Sequence, residues 1–257
     1  MSTQRVTAAA IIIGNEILSG RTRDANLGYL GRRLTELGIH LDEARVIPDD
    51  AEVIVRTVDE LRADRTYVFT TGGIGPTHDD ITAECVARAL GRDLIENPEA
   101  RAVLEERYGA EGLSPARLRM ARTPREAGLI ANPVSAVPGF FVDNVFVLAG
   151  IPDVMRAMFE SVAHRLTGGS RLHTATIVVP LREGDIAEPL GAIQARHPDI
   201  EIGSYPFYSS VKFGASLVLR GTHAPTLRTA LSEVRDMVHA LGAEPLSEEV
   251  EPEIAAP

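Results

Sequence analysis

The sequence has a single cysteine, Cys85, so no disulfide forms within the chain and cysteine-rich zinc sites are excluded. No apolar run approaches the length a membrane span needs, which predicts no membrane partner. Residues 1–10 lack the charged start, apolar centre and small-residue cleavage site of an export signal, so a cytoplasmic location is expected. Basic charge is short as well. The formal net charge of −10 argues against a general nucleic-acid binder. The seven histidines show no H-x-x-x-H or similar ligand spacing, and His78 stands out only because it lies in a glycine-rich loop. Also missing are a G-x-x-x-x-G-K-[ST] loop and a G-x-S-x-G elbow, and Cys85 falls on the apolar face of a helix. ATPase, serine-hydrolase and cysteine-nucleophile mechanisms thereby lose their usual carriers. Acid, metal and backbone chemistry remain.

What is present is organised around Thr70 to Thr82, which contains Gly72-Gly73-Ile74-Gly75-Pro76-Thr77-His78-Asp79-Asp80. Tyr67-Val68-Phe69 before it reads as a buried strand, and Ile81, Cys85, Val86, Ala89 and Leu90 after it recur at helical spacing. A strand-to-helix junction leaves backbone N–H groups without partners beside the positive end of a helix, which suits an anion. Glycines let the backbone approach it. Gly73-Ile74-Gly75 starts like a dinucleotide fingerprint, but His78 occupies the place of the third glycine. Two readings of Asp79 and Asp80 stand side by side. They cap the following helix, or they hold Mg²⁺ together with a ligand phosphate.

The flanking pattern is strand, helix, strand, helix. Thr7 to Ile13 runs into Gly14-Asn15-Glu16, Asp24 precedes Leu27, Leu30, Leu34 and Leu37, and Leu41 to Ile47 leads through Pro48-Asp49-Asp50 to Val53, Ile54, Val58 and Leu61. This repeat predicts an α/β fold with a parallel sheet, helices on both faces and ligands at the carboxyl ends of the strands. Val145 to Leu148, ending in Ala149-Gly150-Ile151-Pro152-Asp153, adds a third loop to that rim. Residues 97–125 carry six arginines on short helical pieces. They form either a solvated face or an arm from which Arg119 or Arg122 reaches a ligand phosphate.

Thr167-Gly168-Gly169-Ser170 has linker composition. It separates an expected domain at 1–167 from a small α+β domain at 171–244 of order βαββα, read as an oligomerisation or scaffolding piece. Residues 245–257 are expected to be disordered.

The block Thr71 to Thr82, with Gly14-Asn15-Glu16-Ile17-Leu18-Ser19-Gly20, Asp24-Ala25-Asn26 and Gly150-Ile151-Pro152-Asp153-Val154-Met155 in order and spacing, resembles the molybdopterin-binding (MoaB/Mog) domain family, nearest its CinA-like branch. The resemblance covers about residues 5–166. It implies a three-layer αβα sheet domain that binds pterin phosphates or nucleotides, and, in CinA-like members, metal-dependent pyrophosphatase activity on ADP-ribose. On that reading Gly72, Gly73, Gly75 and Thr77 cradle phosphate, and Gly14, Asn15, Pro76, Asn132, Gly150 and Pro152 complete the ligand-binding set. Asp79 and Asp80 hold Mg²⁺ or another divalent cation, and Asp79, Asp80 and Glu16 form the catalytic set. Asn15 and Val154 stand where the family pattern has carboxylates. The alternatives are a non-catalytic molybdopterin- or nucleotide-binding module, and pterin adenylyl transfer in molybdenum-cofactor assembly. A small-molecule ligand and a homo-oligomer are the expected partners.

Overall fold

The computed structural model describes residues 5–170, 172–208 and 213–250, and it divides into two compact units, Met1–Gly169 and Ser170–Pro257. The first unit runs β1 (Thr7–Ile13), α1 (Asn15–Leu18), α2 (Asn26–Glu36), β2 (His40–Ile47), α3 (Ala51–Asp64), β3 (Tyr67–Thr71) and α4 (Thr82–Ala89). It continues through β4 (Leu94–Glu96), α5 (Pro98–Tyr108), α6 (Pro115–Arg119), β5 (Arg122–Pro124), β6 (Gly128–Ile130), β7 (Gly139–Val142), β8 (Val145–Leu148) and α7 (Pro152–Val162).

Its main sheet has the order β2-β1-β3-β8-β7-β6. Strands β2, β1, β3 and β8 are parallel. The sheet is nonetheless mixed, not parallel throughout, because β7 and β6 run antiparallel to their neighbours. The cause is local. Only Asp143-Asn144 separates β7 from β8, with Asp143 at φ 51, and two residues close a hairpin but cannot make a crossover.

Side chains alternate across the strands, so each strand feeds two cores. Ala8 and Ala10 of β1 join Phe69, Phe146 and Leu148 under Leu30 and Leu34 of α2 and Met155, Met158 and Phe159 of α7. Ala9, Ile11 and Ile13 face the other way, with Val68, Val145 and Val147, onto Ile54, Val58 and Leu61 of α3 and Cys85 and Val86 of α4. This is a three-layer αβα arrangement. Alanines in β1 suit the middle of the sheet, where helices approach from both sides.

The arm between α4 and β6 has a small core of its own. Strands β4 and β5 pair antiparallel, and Ala100, Leu104 and Ala121 are fully buried beneath Tyr108, Leu113, Met120, Leu129 and Val137. Its helix α5 starts at Asn97, whose side chain accepts from the N–H groups of Glu99 and Ala100, with Pro98 in the first turn.

The second unit is β9 (His173–Val179), α8 (Glu183–Arg196), β10 (Ile200–Tyr208), β11 (Phe213–Gly221), α9 (Ala224–Ala240) and β12 (Ser247–Val250). Its antiparallel sheet has the order β10-β11-β9-β12 and packs one face against α8 and α9 through Ala175, Ile177, Leu217, Ile193, Leu231 and Val234. The expected order βαββα thus gains a closing strand. The disorder expected for 245–257 does not hold at Ser247–Val250, which pair with β9, and Glu248 takes an ion pair from Arg235 at 2.7 Å. Residues 251–257 lie outside the described residues.

Candidate functional site

The carboxyl ends of β1, β3 and β8 lie side by side, and the loops leaving them are locked together through glycines. Gly72 has φ 106, and a Cβ there would lie 2.3 Å from the Ile13 carbonyl oxygen. A Cβ on Gly150 would lie 3.3 Å from the Gly72 Cα. Backbone hydrogen bonds tie the same loops inward, from Gly72 N to the Leu148 carbonyl and from Gly14 N to the Ile47 carbonyl, each at 3.1 Å. Asn26 of α2 donates its side-chain amide to the Gly150 carbonyl at 2.8 Å.

The glycine-rich loop then folds back onto the start of α4. Thr82, fully buried, donates its hydroxyl to the Gly72 carbonyl and its N–H to the Gly73 carbonyl, both at 3.0 Å. Gly73 sits at φ 67 with room for no Cβ, since one would lie 2.2 Å from the Thr82 hydroxyl. Among the described residues, the N–H groups of Gly73, Ile74 and Gly75 donate to no protein acceptor. All three residues line a cleft of about 710 Å³. That size lies within the range of small-molecule sites.

Of the residues expected from the sequence, the cleft brings together Glu16, Gly72, Gly73, Gly75, Pro76, Asp79, Asp80, Asn132, Gly150 and Pro152. Gly14, Asn15 and Thr77 do not line it. Gly14 is buried beneath the Glu16 carboxylate, whose oxygens leave no space for a Cβ. Asn15 is exposed, and its N–H is taken by Asp49 at 2.8 Å. Thr77 braces the loop, donating its N–H at 2.7 Å and its hydroxyl at 2.5 Å to Oδ2 of Asp80. Asn132 lines the cleft with its amide already engaged. Its Nδ2 donates to the Ser135 hydroxyl and the Val137 carbonyl, and its Oδ1 accepts from the N–H groups of Val134 and Ser135. That uses its donors and acceptors in shaping its own turn.

The two adjacent acids play different parts. Helix α4 is capped at Ile81 with no side-chain bond, so neither Asp79 nor Asp80 serves as the expected helix cap. Asp80 is half-buried and turned inward to Thr77, whereas Asp79 is exposed. The Asp79 carboxyl lies below the usual carboxylate range, with Thr77 the first cause and the backbone N–H of Asp79 the second. The 2.5 Å contact assigns the Thr77 hydroxyl proton to Asp80, so Thr77 acts on Asp79 as a neighbouring dipole. Among the described residues, no three His, Cys, Asp or Glu side chains come close enough to form a metal cage. The acids fit only a cation that arrives with its phosphates, of the kind Mg²⁺ makes with one or two carboxylates. Asp79 and the free Oδ1 of Asp80 are the oxygens on offer.

Several lining residues have no counterpart among those picked out from the sequence. Thr22, Asp49, Ser135, Val137 and Ile151 contribute to the walls, and the arm adds Tyr108, Arg117 and Met120. The arginine that reaches the cleft is Arg117, not Arg119 or Arg122. Val154, in the first turn of α7, puts an apolar side chain on the wall.

Comparison with known proteins agrees with this geometry. Residues 9–168 match the family model described as "Probable molybdopterin binding domain", and residues 171–245 match that of the "FAD synthase, middle domain". A protein of Archaeoglobus fulgidus is 36% identical over 205 residues, covering 79% of this chain and 88% of the relative. A CinA-like protein of Citrifermentans bemidjiense is 36% identical over 246 residues, covering 90% of this chain but 58% of that longer protein. Among solved structures, the protein CinA of Thermoplasma acidophilum, described as of unknown function, matches with a TM-score of 0.60 at 34% identity, over 63% of this chain and 98% of that one. With the three-layer sheet, the glycine-locked rim and a model match over most of its length, the chain belongs to the molybdopterin-binding (MoaB/Mog-like) domain family, among relatives that include CinA-like proteins.

Proposed function

We propose that the first unit binds the phosphate of a nucleotide or pterin in the rim cleft. The observation that carries this reading is the run of three N–H groups without an acceptor among the described residues, at Gly73, Ile74 and Gly75, which all line a cleft sized for such a ligand. Oriented backbone donors bind an oxyanion with little reorganisation, and the start of α7 adds its positive end at Ile151 and Pro152. The glycines fix these donors in place, because no side chain fits at Gly72 or Gly73. Binding is tested by isothermal titration and thermal shift with AMP, ADP-ribose, FAD and a pterin phosphate. The expected result is saturable binding by at least one of them. A flat response to every member of the panel would sink the reading.

A second reading, hydrolysis of a nucleotide diphosphate such as ADP-ribose, is favoured by one specific observation. Asp79 is held ionised and exposed within a cleft that also contains Glu16. On this reading, Asp79 and Oδ1 of Asp80 hold the cation, which supplies charge neutralisation at the phosphates when bound. Glu16 orients the attacking water as base, and the loop N–H groups stabilise charge developing on the phosphate oxygens. Release of AMP from ADP-ribose with Mg²⁺ or Co²⁺ is the readout. Binding without any monophosphate product leaves the chain a non-catalytic module of the same ligand class.

A further inference from the structure

The arm does more than border the cleft. Arg117 lies with its guanidinium 4.4 Å from the centroid of the Tyr108 ring, and its Nη1 donates to the Gly112 carbonyl at 2.7 Å. The two contacts together hold the guanidinium over the ring. Among the described residues, Arg117 is the only cation lining the cleft, which also holds the acids Glu16, Asp49, Asp79 and Asp80. It nevertheless forms no ion pair among the described residues, whereas Arg101 pairs with Glu96 and Glu105, and Arg125 pairs with Asp93. The wall it belongs to is rigid at its root. Tyr108, Met120 and Val137 all line the cleft and all pack on the buried Ala100, Leu104 and Ala121.

A planar cation stacked on a tyrosine has a second face, and that face matches a flat, electron-rich ring. Beside it, Met120 and Val137 offer apolar surface with no demand for a hydrogen bond. The glycine loop, which lines the same cleft, offers N–H donors instead. The cleft therefore combines two chemistries, backbone donors and a cation–ring pair.

We propose that the Arg117–Tyr108 stack is the subsite for the ligand's heterocycle, and that Arg117 selects phosphate ligands carrying a purine or pterin ring over those with none. The inference rests on the phosphate-binding reading above and adds the part of the ligand that the arm recognises. Arg117 works here through its plane more than its charge, so lysine does not replace it. Stacking of a base on a side-chain plane is sequence-tolerant, and both purine and pterin rings satisfy it.

The test is a titration series on the full chain with AMP and ADP-ribose, which carry a ring, and with ribose 5-phosphate and pyrophosphate, which carry none. Wild type is compared with Arg117→Ala, Arg117→Lys and Tyr108→Leu. The expected result is that all three variants weaken AMP and ADP-ribose about tenfold, equivalent to about 1.4 kcal/mol, and leave the ringless ligands within about twofold. The 1,N6-ethenoadenosine form of AMP provides a second readout, since its fluorescence should be quenched on binding to wild type and less so with Arg117→Lys. If Arg117→Lys binds AMP like wild type while Arg117→Ala loses pyrophosphate, Arg117 is a phosphate ligand and the proposal is overturned. It is equally overturned if wild type binds AMP and no variant changes it. Wild type that binds none of the four, and neither FAD nor a pterin phosphate, removes the phosphate-binding reading itself, a result distinct from both.

Discussion

The Asn26 side-chain amide donates to the Gly150 carbonyl at 2.8 Å, joining the start of α2 to the loop after β8 across 124 positions of sequence. Asn26 is buried, and its Oδ1 has no partner among the described residues. The amide therefore contributes one hydrogen bond at the cost of one unsatisfied acceptor. Asn26→Ala removes both and should lower stability by only about 1 kcal/mol. Asn26→Asp places a carboxylate against a carbonyl, with no donor between them, and should cost about 2 kcal/mol or more near neutral pH. Urea denaturation of the two variants checks the order. Equal losses would mean that the Gly150 carbonyl finds another donor.

Gly72 tests whether the rim depends on close backbone approach. Gly72→Ala places a methyl group 2.3 Å from the Ile13 carbonyl oxygen at φ 106, so β1 and β3 must separate at their carboxyl ends. The expected loss is about 2 kcal/mol or more, with ligand binding lost in the fraction that still folds. Gly20→Ala is the control. Its φ is 72, but nothing lies within 4 Å of its Cβ, so only the backbone term of about 1 kcal/mol applies.

Asp80 separates a structural brace from a cation ligand. Its Oδ2 accepts both donors of Thr77, an arrangement an asparagine oxygen can also make. Asp80→Asn should therefore keep AMP binding in EDTA within about threefold of wild type, whereas Asp80→Ala frees the Thr77 N–H and should weaken it about tenfold. Any increase in affinity on adding Mg²⁺ should vanish in Asp79→Asn, because Asp79 is the exposed carboxylate of the two, with only His78 beside it at 3.9 Å as an ion-pair partner among the described residues. Titrations with and without EDTA read both effects. An Asp80→Asn variant as weak as Asp80→Ala would place the charge of Asp80, not its hydrogen bonds, at the centre of binding.

The features that build the rim and its arm differ in how openly the sequence displays them. The loop glycines were legible, because a glycine at Gly72 or Gly73 meets a steric need that local chemistry states directly. The division of β1 into Ala8 and Ala10 against Ala9, Ile11 and Ile13 follows from a strand with both faces covered. The reversal of β7 was signalled by Asp143-Asn144 but lost among other short turns in that stretch. The choice of Arg117 over Arg119 and Arg122 was not legible. Helix α6 has five residues, and which of them meets the cleft depends on how the arm's separate core seats it. Strand β12 hid behind an acidic composition that reads as a solvated tail. It forms because the β9 edge offers backbone partners, and Arg235 takes up the Glu248 charge.

Cys85 supplies a probe of the α4 face that needs no ligand. It is 2% exposed, packed with Val86 and the α3 side chains, and burial pushes its thiol up from 9.0 to about 11. The neutral thiol should resist iodoacetamide at pH 8 in the native chain and react promptly in denaturant, as measured by mass spectrometry. The sign of the stability effect follows from the direction of the shift. Between the unfolded thiol's value and about 11, the unfolded state holds fewer protons than the native state, so stability falls as pH rises through that window. Urea midpoints should therefore agree at pH 7 and pH 8 and drop by pH 10, with Cys85→Ala showing a smaller drop over the same interval. Rapid native-state labelling at pH 8 would instead mean that α4 opens from the sheet, and with it the Thr82 anchor of the glycine loop.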